Sequence, residues 1–305
     1  MNDTEAWDLY WQSGIINSCV TQSDELVDNA LFVFWTSHLS RLPQTPKVLD
    51  LATGNGAVVH LLHKAESKLQ LTGIDRAKIV SASQHDEHSP QFLSNIDITQ
   101  TPFKNQSFDL ITSQFGVEYA MCTNGTDSMQ SVLQEISRLL RPGGIFQLLI
   151  HHSESSLLHS NARKRDELAY LLQDGGLISD LWRFSHSDLS VSDLELSGQN
   201  YLHTAQIKTQ AISGQIFSAI NHFIQQQGMP ETQGSISDVI TRVKAEHSRL
   251  KQLCAAAMSE DDLVMMERLA ENNDLAIETK KAFEVENKDG TLDLLAWQIV
   301  GSKGS

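Results

Sequence analysis

The stretch "VLDLATGNGAVVHLL", Val48 to Leu62, constrains the fold of this chain more than any other. A short apolar run ends at the acid Asp50, two closely spaced glycines follow at Gly54 and Gly56, and a helical pattern then begins. An apolar run of this length bounded by glycines reads as a buried strand, and the spacing after it as a helix. A strand, a tight glycine turn and a helix in that order open an α/β unit of the parallel kind.

The pattern repeats downstream. "KVLDLA" (47–52), "LQLTGID" (69–75), "FLSNID" (92–97), "FDLITSQF" (108–115) and "GIFQLLI" (144–150) read as five strands. "AVVHLLHKA" and "DSMQSVLQEISRLL" read as helices between them; in the second, Met129, Val132, Leu133, Ile136, Leu139 and Leu140 share a face, and "RPGG" stops it. Right-handed crossovers then place helices on both faces of a doubly wound, mostly parallel α/β sheet. From about Ser153 to Asn273 the strand signal gives way to helical segments separated by "GG", "GMP" and "GS", a helical insertion after the fifth strand. Extended patterns return in "LAIETKKAFEVE" and "TLDLLAWQIVGS", joined by "NKDG", a hairpin signal that ends the sheet antiparallel. The predicted organisation is an N-terminal helical segment (1–46), an α/β domain (47–152 and 274–305) and the helical insertion (153–273). In the first segment, Trp7, Tyr10 and Trp11 stand at i, i+3, i+4 spacing, suited to a lid or to packing.

Composition narrows the partners. The chain has 305 residues, 40% of them hydrophobic, and a formal charge of −15. A phosphate backbone or anionic membrane is repelled by such a surface, so neither nucleic acid nor membrane is expected as a partner. Cys19, Cys122 and Cys254 are odd in number and scattered, which fits neither a disulfide framework nor a zinc site and suggests the cytoplasm. His60 and His63, and His85 and His88, sit at i, i+3 spacing without an evident third ligand, so no metal is expected. The opening "MNDTEAWDLYWQSG" has neither basic nor apolar signal region.

In an open α/β sheet, ligands lie beyond the carboxyl ends of the strands. Gly54 and Gly56 permit close backbone approach there, and the helix start adds free N–H groups. A dinucleotide fingerprint wants a third glycine where this chain has Val59, which disfavours an NAD-linked oxidoreductase. Three acids shape the alternative: Asp75 at the second strand end suits a ribose diol, Asp97 at the end of the third suits an adenine amino group with Ile98 against the ring, and Asp50 suits a cationic amino group. A ligand with positive charge, ribose and adenine but no pyrophosphate matches S-adenosylmethionine.

"VLDLATGNGAVV", "LTGIDRA", "NIDITQTPFKNQSFDLITSQFGVEYA" and "LLRPGGIFQLLI", in this order and spacing, resemble the motif set of class I S-adenosylmethionine-dependent methyltransferases. The resemblance covers roughly Lys47 to Ile150 and the terminal hairpin. It implies a seven-stranded sheet with one antiparallel strand, S-adenosylmethionine as cofactor, and contacts at Asp50, Ala52, Gly54, Gly56, Asp75, Asp97, Ser113 and Gln114. Two departures stand out: Ala52 replaces the first glycine often found in the turn, and Arg76 follows the ribose acid.

Methyl transfer from a sulfonium is an in-line displacement in which alignment carries much of the catalysis. A base helps if the acceptor is a hydroxyl, phenol or protonated amine; His151 is the first candidate by location, with His152, Glu118 and Tyr119 nearby. The insertion is expected to choose the acceptor as a helical cap, with a homodimer interface as its alternative role. The expected activity is methylation of a small molecule. The competing reading is a non-catalytic S-adenosylmethionine-binding protein that uses the insertion for partner contacts.

Overall fold

A computed structural model of the chain describes residues 3–16, 25–80, 89–122, 125–204 and 231–304. Cys19, His85, His88 and the part of the insertion between 205 and 230 lie outside the described residues.

The strands are β1 (Lys47–Leu51), β2 (Gln70–Ile74), β3 (Gln91–Leu93), β4 (Phe108–Gln114), β5 (Leu140–His151), β6 (Leu275–Glu286) and β7 (Leu292–Lys303). They form one seven-stranded sheet in the order β3-β2-β1-β4-β5-β7-β6. β1 pairs in parallel with β2 and β4, while β7 runs antiparallel to both β5 and β6. This is the mostly parallel sheet with one antiparallel strand that the motif set implies. The order reverses between β2-β1 and β4, the crevice where open α/β sheets hold ligands.

Both faces of the sheet are covered because both sides of its central strands are apolar. Leu49 and Leu51 of β1 enter one core with Met129, Val132, Leu133 and Ile136 of helix α5 (Thr126–Leu139). Val48 enters the other, with Leu31, Phe34 and Trp35 of α2 (Glu25–Thr36) and Val58, Val59 and Leu62 of α3 (Ala57–Ala65). Val59 is fully buried there, so the residue that breaks the dinucleotide fingerprint is the one that seats α3 on the sheet.

Several boundaries differ from the sequence reading. The third strand stops at Leu93, because Asn95 turns the chain with a positive φ of 61°, so Asp97 lies in a loop. Leu140 belongs to β5 rather than to the helix. "RPGG" sits inside that strand as an irregularity, the pairing jumping from Phe108↔Leu140 to Leu110↔Ile145. The terminal hairpin closes as read, with Asn287 N–H donating to Thr291 O at 2.7 Å and Gly290 at φ 81°.

Between β5 and β6 the described chain is helical: α6 (Ser156–Leu172), α7 (Leu177–Ser185), α8 (Val191–Thr204), α9 (Glu231–Ala256) and α10 (Glu260–Glu271). The chain divides into two compact units, one comprising Met1–Leu9 and Ser160–Lys251, the other Tyr10–His159 and Gln252–Ser305. The helical unit has its own core, including Leu168, Leu171, Leu181, Phe184, Leu194, Ile236 and Leu250. It is shorter than the 153–273 stretch because Leu263, Met266 and Ala270 of α10 are buried in the sheet's core. Nor does 1–46 stand apart, since α2 packs on the sheet. Among the described residues, no helix is long and apolar enough to cross a membrane.

Candidate functional site

The turn after β1 is held by backbone bonds and by left-handed residues. Thr53 N–H donates to Ile74 O at 2.9 Å, tying the turn to β2, and Gly56 N–H donates to Thr53 O at 2.9 Å. Ala52, Gly54 and Gly56 have φ of 52°, 53° and 85°. The turn therefore demands a left-handed residue at 52 as well, and alanine meets that demand with strain that glycine would avoid. Gly56 caps α3, and a Cβ there would stand 2.6 Å from the Phe92 ring.

Asp75, just past β2, is only 7% exposed. Its Oδ2 accepts from Gly54 N–H and its Oδ1 from Ala77 N–H, each at 2.8 Å. These two backbone anchors fix the direction of the carboxylate. Asp50 is buried beneath the turn and takes the Thr53 and Thr112 hydroxyls at 2.6 and 2.7 Å. Burial pushes its carboxyl up to about 7 against the pull of those two hydroxyls, and the charge of Asp75 adds to the rise.

The remaining predicted contacts separate into open and enclosed positions. Arg76 and Asp97 are exposed. Asp97 Oδ1 accepts from Thr99 N–H and Oγ1 at 2.9 and 2.7 Å. Burial raises its pKa, but those two bonds and the Arg76 charge outweigh it, leaving the carboxyl below its ordinary value. Ile98 is enclosed in the core rather than offered to a ring. Ser113 is fully buried, its Oγ donating to Leu51 O and accepting from Val117 N–H. Gln114 Oε1 accepts from Trp35 Nε1–H at 3.0 Å. The two strand-four positions thus hold β1 and α2 through their side chains.

Glu118, in α4 (Val117–Met121), and His151, the last residue of β5, form a pair. Glu118 Oε1 lies 2.5 Å from His151 Nδ1 and also accepts from His151 N–H at 3.1 Å. Both side chains are 0% exposed, enclosed with Phe115 and Tyr119, whose rings lie 4.5 and 5.8 Å from the imidazole. The pair clamps α4 to β5 inside the fold. His152 stacks on Trp297 at 4.0 Å and accepts from Glu154 N–H at Nδ1; burial lowers its pKa, the charge of Glu154 opposing.

Sequence reasoning missed Thr53, Thr112 and Asn55. Thr53 had a readable signal, a hydroxyl three residues after the buried acid inside the turn. Thr112 had none, since its bond to Asp50 spans 62 residues.

Residues 49–148, which run from β1 nearly to the end of β5, match a family model described as "Methyltransferase domain". The chain is 31% identical over 108 residues to the ubiquinone/menaquinone biosynthesis C-methyltransferase UbiE of Desulfotalea psychrophila, covering 33% of this chain and 40% of that protein. It is 36% identical over 104 residues to a demethylmenaquinone methyltransferase of Thermotoga maritima, covering 34% and 42%. It is 28% identical over 109 residues to a malonyl-[acyl-carrier protein] O-methyltransferase of Enterobacter lignolyticus, covering 35% and 40%. The chain spans about two fifths of the length of these curated relatives. Residues 49–148 are thus similar to a methyltransferase domain, the family that the ordered motifs resemble. The residues present fit S-adenosylmethionine, the cofactor that the motif resemblance implies: an anchored acid at Asp75 and a second, buried acid at Asp50 beneath a glycine turn. All described helical insertion lies outside the matched segment.

Proposed function

We propose that this chain transfers a methyl group from S-adenosylmethionine to a small-molecule acceptor. The observation that carries the reading is the Asp75 carboxylate, anchored by Gly54 and Ala77 at the mouth of the glycine turn within the matched domain. In this reading Asp75 takes the ribose diol, the turn around Ala52, Gly54 and Gly56 lies along the methionine part, and Asp50 faces its ammonium through the Thr53 hydroxyl. Asp97, with Arg76 beside it, is the open position for the adenine amino group. When bound, the cofactor supplies an electrophilic methyl on a sulfonium. The protein's part is to align donor and acceptor and to exclude water, which for an in-line displacement is most of the catalysis. Glu118 and His151 support that alignment by fixing α4 against β5.

A small acceptor is favoured by the charge of −15, which repels nucleic acid. Two matched relatives are named for demethylmenaquinone and for a malonyl group on a carrier protein. The helical unit, outside the matched segment and with its own core, is the part that would shape acceptor choice as a cap; a homodimer contact is its alternative role. Cys122 and Cys254, which are in no disulfide, suit a reducing, cytoplasmic setting. Turnover of labelled S-adenosylmethionine against a metabolite extract tests the reading. Methyl incorporation into low-mass products is expected; tight cofactor binding with no transfer across a broad acceptor panel favours the non-catalytic alternative.

A further inference from the structure

Gly54 is enclosed from two sides. Its N–H is taken by Asp75, and on its other side lies the indole of Trp11, near the end of α1 (Asp3–Gln12). A Cβ on residue 54 would stand 2.4 Å from both Cη2 and Cζ2 of that ring, so glycine is needed here for the indole's approach as well as for the turn's φ. Trp11 is 7% exposed, with the Tyr10 ring edge-on at 5.0 Å.

Asn55, the residue between the two glycines, holds this arrangement. Its side-chain amide donates to Trp11 O at 2.9 Å and to Ile15 O at 2.8 Å, while its Oδ1 accepts from Val80 N–H at 3.0 Å. The middle of the glycine turn thus spends its side chain on two segments far away in sequence: 10–16, and the stretch that follows Asp75. A polar side chain buried with all these bonds made is costly to release, because each backbone group would need a new partner.

We propose that residues 10–16 form a strap that closes the cofactor site beside Gly54, with Trp11 as a cofactor-binding residue and Asn55 as its latch. The inference rests on the S-adenosylmethionine reading of the Asp75 site. A ligand held by Asp75 along this turn lies one residue from the indole, so its seating and the strap's share the same wall. Binding therefore stabilises the closed strap, and the closed strap strengthens binding, by the same factor.

The test uses the full chain and S-adenosylhomocysteine as probe. Chymotrypsin cuts after exposed aromatic residues, so cleavage after Tyr10 and Trp11, read by mass spectrometry, reports strap opening. Saturating S-adenosylhomocysteine is expected to slow that cleavage by roughly tenfold or more, and calorimetry on Trp11→Ala and Asn55→Ala is expected to show affinity weakened by about tenfold. An unchanged cleavage rate in a wild-type protein that binds the probe overturns the strap, as does wild-type affinity in a folded Trp11→Ala variant. Where either variant loses its thermal transition, the wild-type cleavage rate alone decides. A wild-type chain that binds neither S-adenosylhomocysteine nor S-adenosylmethionine overturns the underlying reading, and the strap with it.

Discussion

Two parts of the same sheet edge, the carboxyl ends of β1 and β2 and those of β4 and β5, carry similar polar side chains and use them in opposite ways. Beyond β2, backbone N–H groups of Gly54 and Ala77 hold Asp75 and fix the acid in direction. At β4 and β5, Ser113, Gln114, Glu118 and His151 bond to backbone, tryptophan and each other, and face inward. At Asp75 the backbone sets the direction of the acid, whereas at Ser113, Gln114 and His151 a distant element claims the side chain.

Breaking the inward end should cost the fold most. Glu118→Ala leaves His151 buried beside a cavity and without its carboxylate, and should lower stability by about 3–5 kcal/mol in denaturant unfolding. A loss under 1 kcal/mol would mean the two ends are not so different.

The buried acid beneath the turn offers a pH test of the ligand end. The Asp50 carboxyl sits at about 7 in the fold against 3.8 as its ordinary value. The folded state therefore holds a proton across that window while the unfolded chain has released it. The contribution is fully present below about pH 4 and is lost as pH rises through 7, on the order of 4 kcal/mol. Unfolding at pH 5 and pH 8 should show this slope in the wild type and a flatter one in Asp50→Asn. Cofactor affinity should strengthen over the same rise, because a cationic ligand favours the ionised acid.

Asp75→Ala should sharpen the contrast from the other side, costing about 1–3 kcal/mol of S-adenosylhomocysteine affinity by leaving ribose hydroxyls without an acceptor. Its thermal midpoint should move far less than that of Glu118→Ala; calorimetric titration and a melting curve together decide. The smallest effect expected is at Ala52, where Ala52→Gly relieves left-handed strain and should stabilise the fold by up to about 1 kcal/mol in the same unfolding assay.

The acids at Asp50 and Asp75 and the glycines at 54 and 56 were legible because each follows from a few neighbouring residues: an apolar run, the acid at its end, the small residues that turn the chain. The doubly wound, mostly parallel sheet was legible for the same reason, since alternating strand and helix lengths leave few parallel topologies. The site's enclosed half was not. Ser113, Gln114 and His151 read as strand-end polar residues, and only partners far along the chain, at Leu51, Trp35 and Glu118, decide that they face inward.

The sequence by itself determined the order of elements, the glycine turn and the presence of an acid at or just after the ends of β1 and β2, since backbone conformation and hydrophobic periodicity are local properties. The tertiary structure decided what periodicity cannot encode: that β3 stops at Leu93, that α10 packs with the sheet, that Ile98 enters the core, and that Trp11 lies on Gly54 with Asn55 holding it there. Burial and hydrogen-bond satisfaction are set by which distant groups arrive at the same place, and a local reading of residue types has no access to that until the chain has closed on itself.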